Sequence, residues 1–308
     1  MVQPRLIAID MDGTLLNSGG SISARNAAAL RLAEEAGAEV VIATGRRHAY
    51  AMRVLRSLHL RQDSALISSN GTVIRTIGNE LLHRTHLPLE AALRICAHLD
   101  HFRNTLVATF DAVDAEGEEQ RGALVCEHLD DLHASIDAWT QSNRRYLAHV
   151  PRMEDALRAA EAPPIQMMVC GGIARMSAAE ARLLQDPRVT AVGATDQPGN
   201  EIALHRTIYP DRDLSIVDIL PAGCSKASAL EHLAGLRGIR ADEILAIGDN
   251  WNDVPMLRLA GHAVLMSNAP SDLQAEARNS GWQIAPSNDH DGVAIAIEEA
   301  LAVLVGHA

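Results

Sequence analysis

Carboxylates gather at two places in this chain. Asp10 and Asp12 stand in Asp10-Met11-Asp12-Gly13-Thr14, and far downstream Asp249 and Asp253 stand in Gly248-Asp249-Asn250-Trp251-Asn252-Asp253. Each group follows a short apolar run, Arg5 to Met11 and Glu243 to Ile247, so both read as loops at the C-terminal ends of strands, where open parallel sheets bind ligands. Gly13 lets the backbone turn sharply there. Paired carboxylates in such loops suit a hard cation such as Mg²⁺, which takes oxygen ligands and few of them from protein. Taken singly, each is also an ordinary polar turn. Between them, Thr44-Gly45-Arg46 ends another apolar run. A hydroxyl beside a glycine whose N–H an anion can approach closely suits a phosphate, although Thr-Gly turns end many strands.

Of 27 basic residues, 26 are arginine and only Lys226 is lysine. Ser225 reads as the N-cap of a helix with Ala229, Leu230 and Leu233 on its core face, which puts Lys226 in the first turn. The helix dipole opposes a cation there by some tenths up to about 1 kcal/mol. A phosphate bound at that end reverses the sign. Four aspartates around a phosphate dianion also need relief, because like charges ~4 Å apart repel by about 4 kcal/mol at an effective dielectric near 20. A divalent cation together with Lys226 offsets most of that. Phosphoryl transfer is the chemistry that uses such a set: an in-line nucleophile, a metal beside the phosphate and a proton donor for the leaving oxygen.

The elements that must position these residues follow from periodicity. Arg5 to Met11, Glu39 to Ala43, Ala65 to Ser68, Ile244 to Ile247, Ala263 to Met266 and Trp282 to Ala285 predict strands. Ser23 to Ala36, capped by Ser23 and ended at Gly37, and His48 to Leu58, with Ala51, Val54, Leu55 and Leu58 on one face, predict helices. This alternation gives an α/β, doubly wound, Rossmann-like parallel sheet with helices on both faces. From about residue 83 to 213 the rhythm changes. Helical stretches (Leu87 to His101, Met153 to Ala162) mix with separated strands (Thr105 to Phe110, Ala123 to Cys126, Ile165 to Cys170), punctuated by Pro163-Pro164 and Gly171-Gly172. The expected organisation is a core from 1–82 and 214–308, with an α+β domain, 83–213, inserted into it.

Composition narrows the rest. A chain of 308 residues with 47% hydrophobic and 21% charged residues can bury two cores, which excludes disordered, collagen-like and coiled-coil classes. A net charge of −12 argues against a generic phosphate-backbone binder, and a count of only eight aromatic residues argues against a base-stacking platform. No run is long and apolar enough for a membrane span, and MVQPRLIAID enters its first strand at once, so a cytoplasmic protein with no membrane or nucleic-acid partner is expected. Cys96, Cys126, Cys170 and Cys224 lack paired spacing and are expected as free, buried thiols. Of the histidines between residues 83 and 213, His98 and His101 come nearest to a ligand pair, and a solvated helix face is the simpler reading. Asp111 to Glu119 reads as an exposed hairpin loop.

The four segments DMDGT, ATGR, Lys226 and GDNWND, in this order, resemble the signature motifs of the haloacid dehalogenase superfamily, over nearly the whole chain. Thr14 and Thr44 are too close for a domain between them, whereas Thr44 to Lys226 leaves room for one, as in the Cof-type hydrolases. Ser69-Asn70-Gly71, Met266 to Pro270 and Asp291-Gly292-Val293-Ala294 are also similar to that subfamily. Ser267 departs from the family's usual glycine.

The resemblance implies a Mg²⁺-dependent phosphatase acting on a small phosphate ester, a sugar phosphate or a phosphorylated cofactor. It makes Asp10 the nucleophile of an aspartyl-phosphate and Asp12 the general acid, then base. It also implies a metal held by Asp10, the Asp12 backbone carbonyl and Asp249, phosphate or substrate contacts from Thr44, Gly45, Arg46, Lys226 and Asn252, and a supporting Asp253. The inserted domain is implied to be a cap that sets specificity. Two alternatives stand beside it: a phosphomutase of the phosphomannomutase type, and a sensor that binds a phosphorylated ligand without turnover.

Overall fold

The structure is a computed structural model that describes residues 3–114, 117–128, 136–191, 194–195 and 197–302. The chain divides into two compact units, one from residues 1–83 with 225–308 and the other from 84–224.

The first unit opens with β1 (Leu6–Ile9), fully buried. Next comes α1 (Ala24–Glu35), which starts where the Ser23 hydroxyl accepts the Asn26 N–H. β2 (Glu39–Ala43) is again buried throughout. α2 (His48–Leu55) passes into a 3-10 turn at Arg56–Leu58, so the expected helix to Leu58 tightens in its last turn. After β3 (Ala65–Ser68) the chain reverses through Ser69–Gly71 into β4 (Val73–Thr76) and then β5 (Leu81–Arg84).

The second unit runs through α3 (Leu89–His98), β6 (Leu106–Thr109), β7 (Leu124–Cys126), α4 (Asp137–Asn143), β8 (Leu147–His149), α5 (Met153–Ala159), β9 (Gln166–Gly171), α6 (Ile173–Leu183), β10 (Val189–Thr190), β11 (Ile202–Tyr209) and β12 (Leu214–Pro221). Its seven-stranded sheet has the order β10-β11-β12-β9-β6-β7-β8, antiparallel except for β10–β11 and β7–β8. Alternation sets its core: Leu106, Ala108, Met167, Val169, Val217 and Ile219 face α3, α5 and α6, which supply Ile95, Leu157 and Met176. The expected return to the core at residue 214 is corrected here, because β12 pairs along its length with β11 and also with β9. Helices α4 and α6 and strands β8, β10, β11 and β12 add to the sequence reading. The described part of Asp111 to Glu119 folds back through a Val113–Glu119 bridge; residues 115 and 116, like His133, lie outside the described residues. All four cysteines are free and buried.

The first unit resumes with α7 (Lys226–Arg237), β13 (Ile244–Gly248), α8 (Val254–Leu259), β14 (His262–Met266), α9 (Ser271–Ser280), β15 (Gln283–Ala285) and α10 (Gly292–Ala302). Its sheet has the order β15-β14-β13-β1-β2-β3-β4-β5. The six strands from β15 to β3 are parallel, and β4 is antiparallel to β3, a departure from the all-parallel expectation. The cause is local: the Ser69–Gly71 turn is far too short for a parallel crossover. Winding on both faces is written in the alternation. Ile7, Ile9, Val40 and Ile42 pack with α1, α2 and α10, while Leu6, Ala8, Val41 and Ala43 pack with α7, α8 and α9. Each fully buried Ile, Leu or Val side chain among these contributes roughly 1.5–3 kcal/mol. Among the described residues no helix is long and apolar enough to cross a membrane.

β1 lies between β2 and β13; the chain leaves β1 toward β2 and leaves β13 toward β14, in opposite directions, and the C-terminal ends of the three strands border one crevice. Register aligns them. Ile9 is level with Ile42 and Ile247, which places Asp10, Thr44 and Asp249 just past the same edge.

Candidate active site

Asp10 follows β1 and is anchored by its N–H to the Ile247 carbonyl at 2.9 Å. Lys226 begins α7 behind a complete capping box: the Ser225 hydroxyl accepts the Ser228 N–H at 3.0 Å, and the Ser228 hydroxyl accepts the Ser225 N–H at 2.9 Å. The cap fixes where the lysine stem starts. The side chain is wholly buried, and its Nζ donates to Asp10 Oδ1 at 2.5 Å and to Asp253 Oδ1 at 2.6 Å. Asp253 is equally buried, and its second oxygen accepts the N–H groups of Asp249 and Asn250, both at 3.0 Å.

Asp10, Asp249 and Asp253 each present an oxygen within 4.8 Å of the others, the one such acidic cluster among the described residues. Three buried carboxylates face one ammonium. Burial first, and then the Asp253 charge, pushes the Asp10 carboxyl up to about 7 against the pull of Lys226. Burial and the charges of Asp10 and Asp253 likewise raise Asp249, while the two aspartates raise Lys226 against its own desolvation. A surplus of negative charge in a dry site is the condition a divalent cation relieves. The donor set fits one: all oxygen, closely spaced and clear of bulk. A Cβ at Gly13, whose φ is +83°, would come within 2.3 Å of Asp249 Oδ2, so only glycine leaves that carboxylate its place. Asp253 is the member least free to ligate, since both its oxygens are already committed.

Asp12 stands apart from this trio. Its carboxylate is part-exposed and gripped by both arms of the Arg46 fork, Nε to Oδ2 at 2.7 Å and Nη2 to Oδ1 at 2.6 Å. The Arg46 guanidinium also lies 4.9 Å from the centre of the Tyr50 ring. Thr44 is buried, and its hydroxyl accepts the Arg46 N–H at 3.1 Å, closing the turn that carries Gly45. Asn252 is buried too, donating from Nδ2 to Asn70 Oδ1 at 3.3 Å.

All of the candidate site residues thus fall in the first unit, on loops or a helix start at one sheet edge. The chain as a whole matches a known family. The haloacid dehalogenase-like hydrolase pattern covers residues 7–297. The chain belongs to that family. This hydrolase is 31% identical to the 5-amino-6-(5-phospho-D-ribitylamino)uracil phosphatase YwtE of Bacillus subtilis, over 97% of this chain and 98% of the relative. It is 29% identical to the phosphatase YwpJ of the same organism, over 94% and 97%. Among solved structures, a haloacid dehalogenase-like hydrolase from Bacteroides thetaiotaomicron superposes with a TM-score of 0.72 at 26% identity, covering 96% of this chain and 99% of that one.

Three polar residues of the hydrolase were not singled out by type. Thr14 donates to Asp249 Oδ1 at 3.0 Å. Asn268 donates to the Gly13 carbonyl at 2.8 Å and reaches Asp249 Oδ2 at 3.5 Å, tying the two carboxylate loops together. Asn70 is the partner of Asn252. Each lay inside a stretch already noted, DMDGT, Met266 to Pro270 or Ser69-Asn70-Gly71, but an uncharged side chain gives no electrostatic reason to choose it. Ser267 is exposed, so its departure from glycine crowds nothing buried.

Proposed function

We propose that this hydrolase is a Mg²⁺-dependent phosphatase that frees phosphate from a small phosphorylated metabolite through an aspartyl-phosphate on Asp10. Its class, phosphoric monoester hydrolase, is that of its curated relatives. The observation that carries the reading is the buried Lys226 ammonium on the Asp10 carboxylate, a pair that a soluble surface has no use for and a phosphoryl acceptor does.

Asp10 is the nucleophile, its carboxylate oxygen forming a bond to phosphorus as the ester oxygen leaves. Asp12 gives that oxygen its proton and then takes one from the water that hydrolyses the acyl phosphate. Arg46 holds the ionised form of Asp12 and so aims it for the second step, in which it is the base. Lys226, the Thr44 hydroxyl, the Gly45 N–H and the Asn252 amide receive the phosphate oxygens, and Asp253 holds Lys226 in place. The Asp10 and Asp249 carboxylates and the Asp12 backbone carbonyl are the residues that would hold Mg²⁺, which when bound offsets the repulsion between the attacking carboxylate and the phosphate.

A sugar phosphate or a phosphorylated cofactor is the substrate class we favour. The name of the 31%-identical relative, a phosphorylated ribitylaminouracil phosphatase, supports it. The inserted unit is the part to which we assign substrate selectivity.

A phosphate-release screen over sugar phosphates, nucleotides and phosphorylated vitamins, run without a bisphosphate activator, tests the reading. Turnover is expected with Mg²⁺, lost in EDTA and restored by Mg²⁺. Asp10→Asn should form no aspartyl-phosphate and release no phosphate, while keeping the wild-type circular dichroism spectrum. Robust turnover in that variant removes Asp10 as nucleophile.

A further inference from the structure

Three consecutive residues in the first unit, Ser69, Asn70 and Gly71, have left-handed backbone angles, with φ of 49°, 52° and 101°. Two of them carry side chains, and all three are buried. A run of this kind is costly to form and persists only where the surroundings over-determine it. Here the surroundings are the phosphate-binding segments. The Ser69 N–H donates to the Arg46 carbonyl at 2.9 Å, and the Asn70 N–H to the Thr44 carbonyl at 3.0 Å, so the turn holds both ends of the Thr44–Arg46 loop. At its other end the turn lies against the start of α7. A Cβ at Gly71 would sit 2.1 Å from the Ser225 carbonyl oxygen and 3.2 Å from the Lys226 backbone nitrogen. The Asn70 amide lies between two further contacts: its Oδ1 receives Asn252 Nδ2 at 3.3 Å, and a Cβ at Gly45 would be 3.2 Å from its Nδ2. The Ser69 hydroxyl is buried with no hydrogen-bond partner, which a turn selected for its own stability would avoid.

On the phosphate placement argued above, we propose that Asn70 is a positioning residue for phosphate recognition. Through Oδ1 it orients the Asn252 amide, through its side-chain volume it seats the Gly45 backbone, and through its left-handed backbone it sets both against Lys226. It acts through these neighbours. Asparagine suits the position because it tolerates this backbone region better than most side chains and carries the acceptor that Asn252 needs.

Asn70→Gly separates this role from folding, since glycine keeps the left-handed backbone and removes only the amide. The variant should keep the wild-type circular dichroism spectrum and a cooperative thermal transition, because relief of the left-handed backbone strain offsets part of the lost amide hydrogen bond. The dissociation constant for inorganic phosphate, measured by calorimetry in Mg²⁺, and the KM for a turned-over ester should each rise about tenfold, with kcat changing less. In a double-mutant cycle, Asn70→Gly should add little to Asn252→Ala. Phosphate affinity and KM within twofold of wild type in Asn70→Gly overturn the proposal, as do fully additive losses in the cycle. Should the wild-type chain bind phosphate yet hydrolyse no ester, the phosphatase reading falls and the affinity comparison still decides the role of Asn70. Phosphate that does not bind the wild type removes both.

Discussion

A compact ammonium between two carboxylates is a demanding fit. Lys226 reaches Asp10 and Asp253 at 2.5 and 2.6 Å from a wholly buried stem. Arginine keeps the charge but spreads it over a longer, planar fork that cannot enter the same space. Lys226→Arg should therefore lower kcat/KM by about 100-fold or more, read by steady-state phosphate release; near-normal turnover would show that charge alone matters there. Asp249→Asn should act in opposite directions on activity and stability. It removes a proposed metal ligand, so turnover is lost, but without a divalent cation it also relieves repulsion among three buried carboxylates. The metal-free variant should be more stable than metal-free wild type by about 1–3 kcal/mol in urea titration, and Mg²⁺ should stabilise only the wild type. Charge made this part of the site legible in the sequence: the aspartates and the lone lysine announce themselves by type and spacing. Thr14, Asn70 and Asn268 did not, because a neutral amide or hydroxyl is as much at home in any turn, and only its partner reveals its use.

At the scale of elements, the first unit was more readable than the second. Strands β1, β2, β3 and β13 are buried on both faces and appear as apolar runs broken by a polar residue only at an end, Glu39 or Ser68. β11 and β12 are longer, but His205, Arg206, Ser215 and Asp218 interrupt them, and their pairing compensates for what their composition hides. The link between α6 and β10 depends on one carboxylate. Asp186 is buried, accepts the Arg188 N–H at 3.0 Å and the Arg188 side chain at 2.9 and 3.0 Å, and meets Arg94 Nε at 3.3 Å. The Arg188 hydrogen bonds, more than offsetting burial, hold its carboxyl well below the usual carboxylate range. A depressed folded-state pKa stabilises above the unfolded value of 3.8 and ceases to do so as pH falls through the folded one. Asp186→Asn should destabilise the second unit by about 1–3 kcal/mol at neutral pH, with the deficit shrinking as the medium is acidified below pH 3.8. An equal deficit at pH 7 and pH 2 in denaturant titrations would contradict the assignment.

At the scale of the whole molecule, the two units differ in how the chain is threaded. The second is continuous in sequence, with its own sheet and apolar core, whereas the first is completed only by segments from both ends of the chain. A fragment of residues 84–224 should fold alone, with a cooperative thermal transition by circular dichroism. Residues 1–83 should not, because β1 then lacks β13 along one edge and the helices α7 to α10 that cover both faces. A cooperative transition in the short N-terminal fragment would show that half of the sheet suffices.

The same threading imposes an order in time. Asp10 and Lys226 are 216 residues apart in the chain. At about 5–20 residues per second, the first leaves the synthesis machinery some ten to forty seconds before the second exists. During that interval Asp10 is an ordinary aspartate without an ammonium beside it. The inserted unit can complete its own fold in the meantime, and phosphate chemistry begins only when the C-terminal strands arrive.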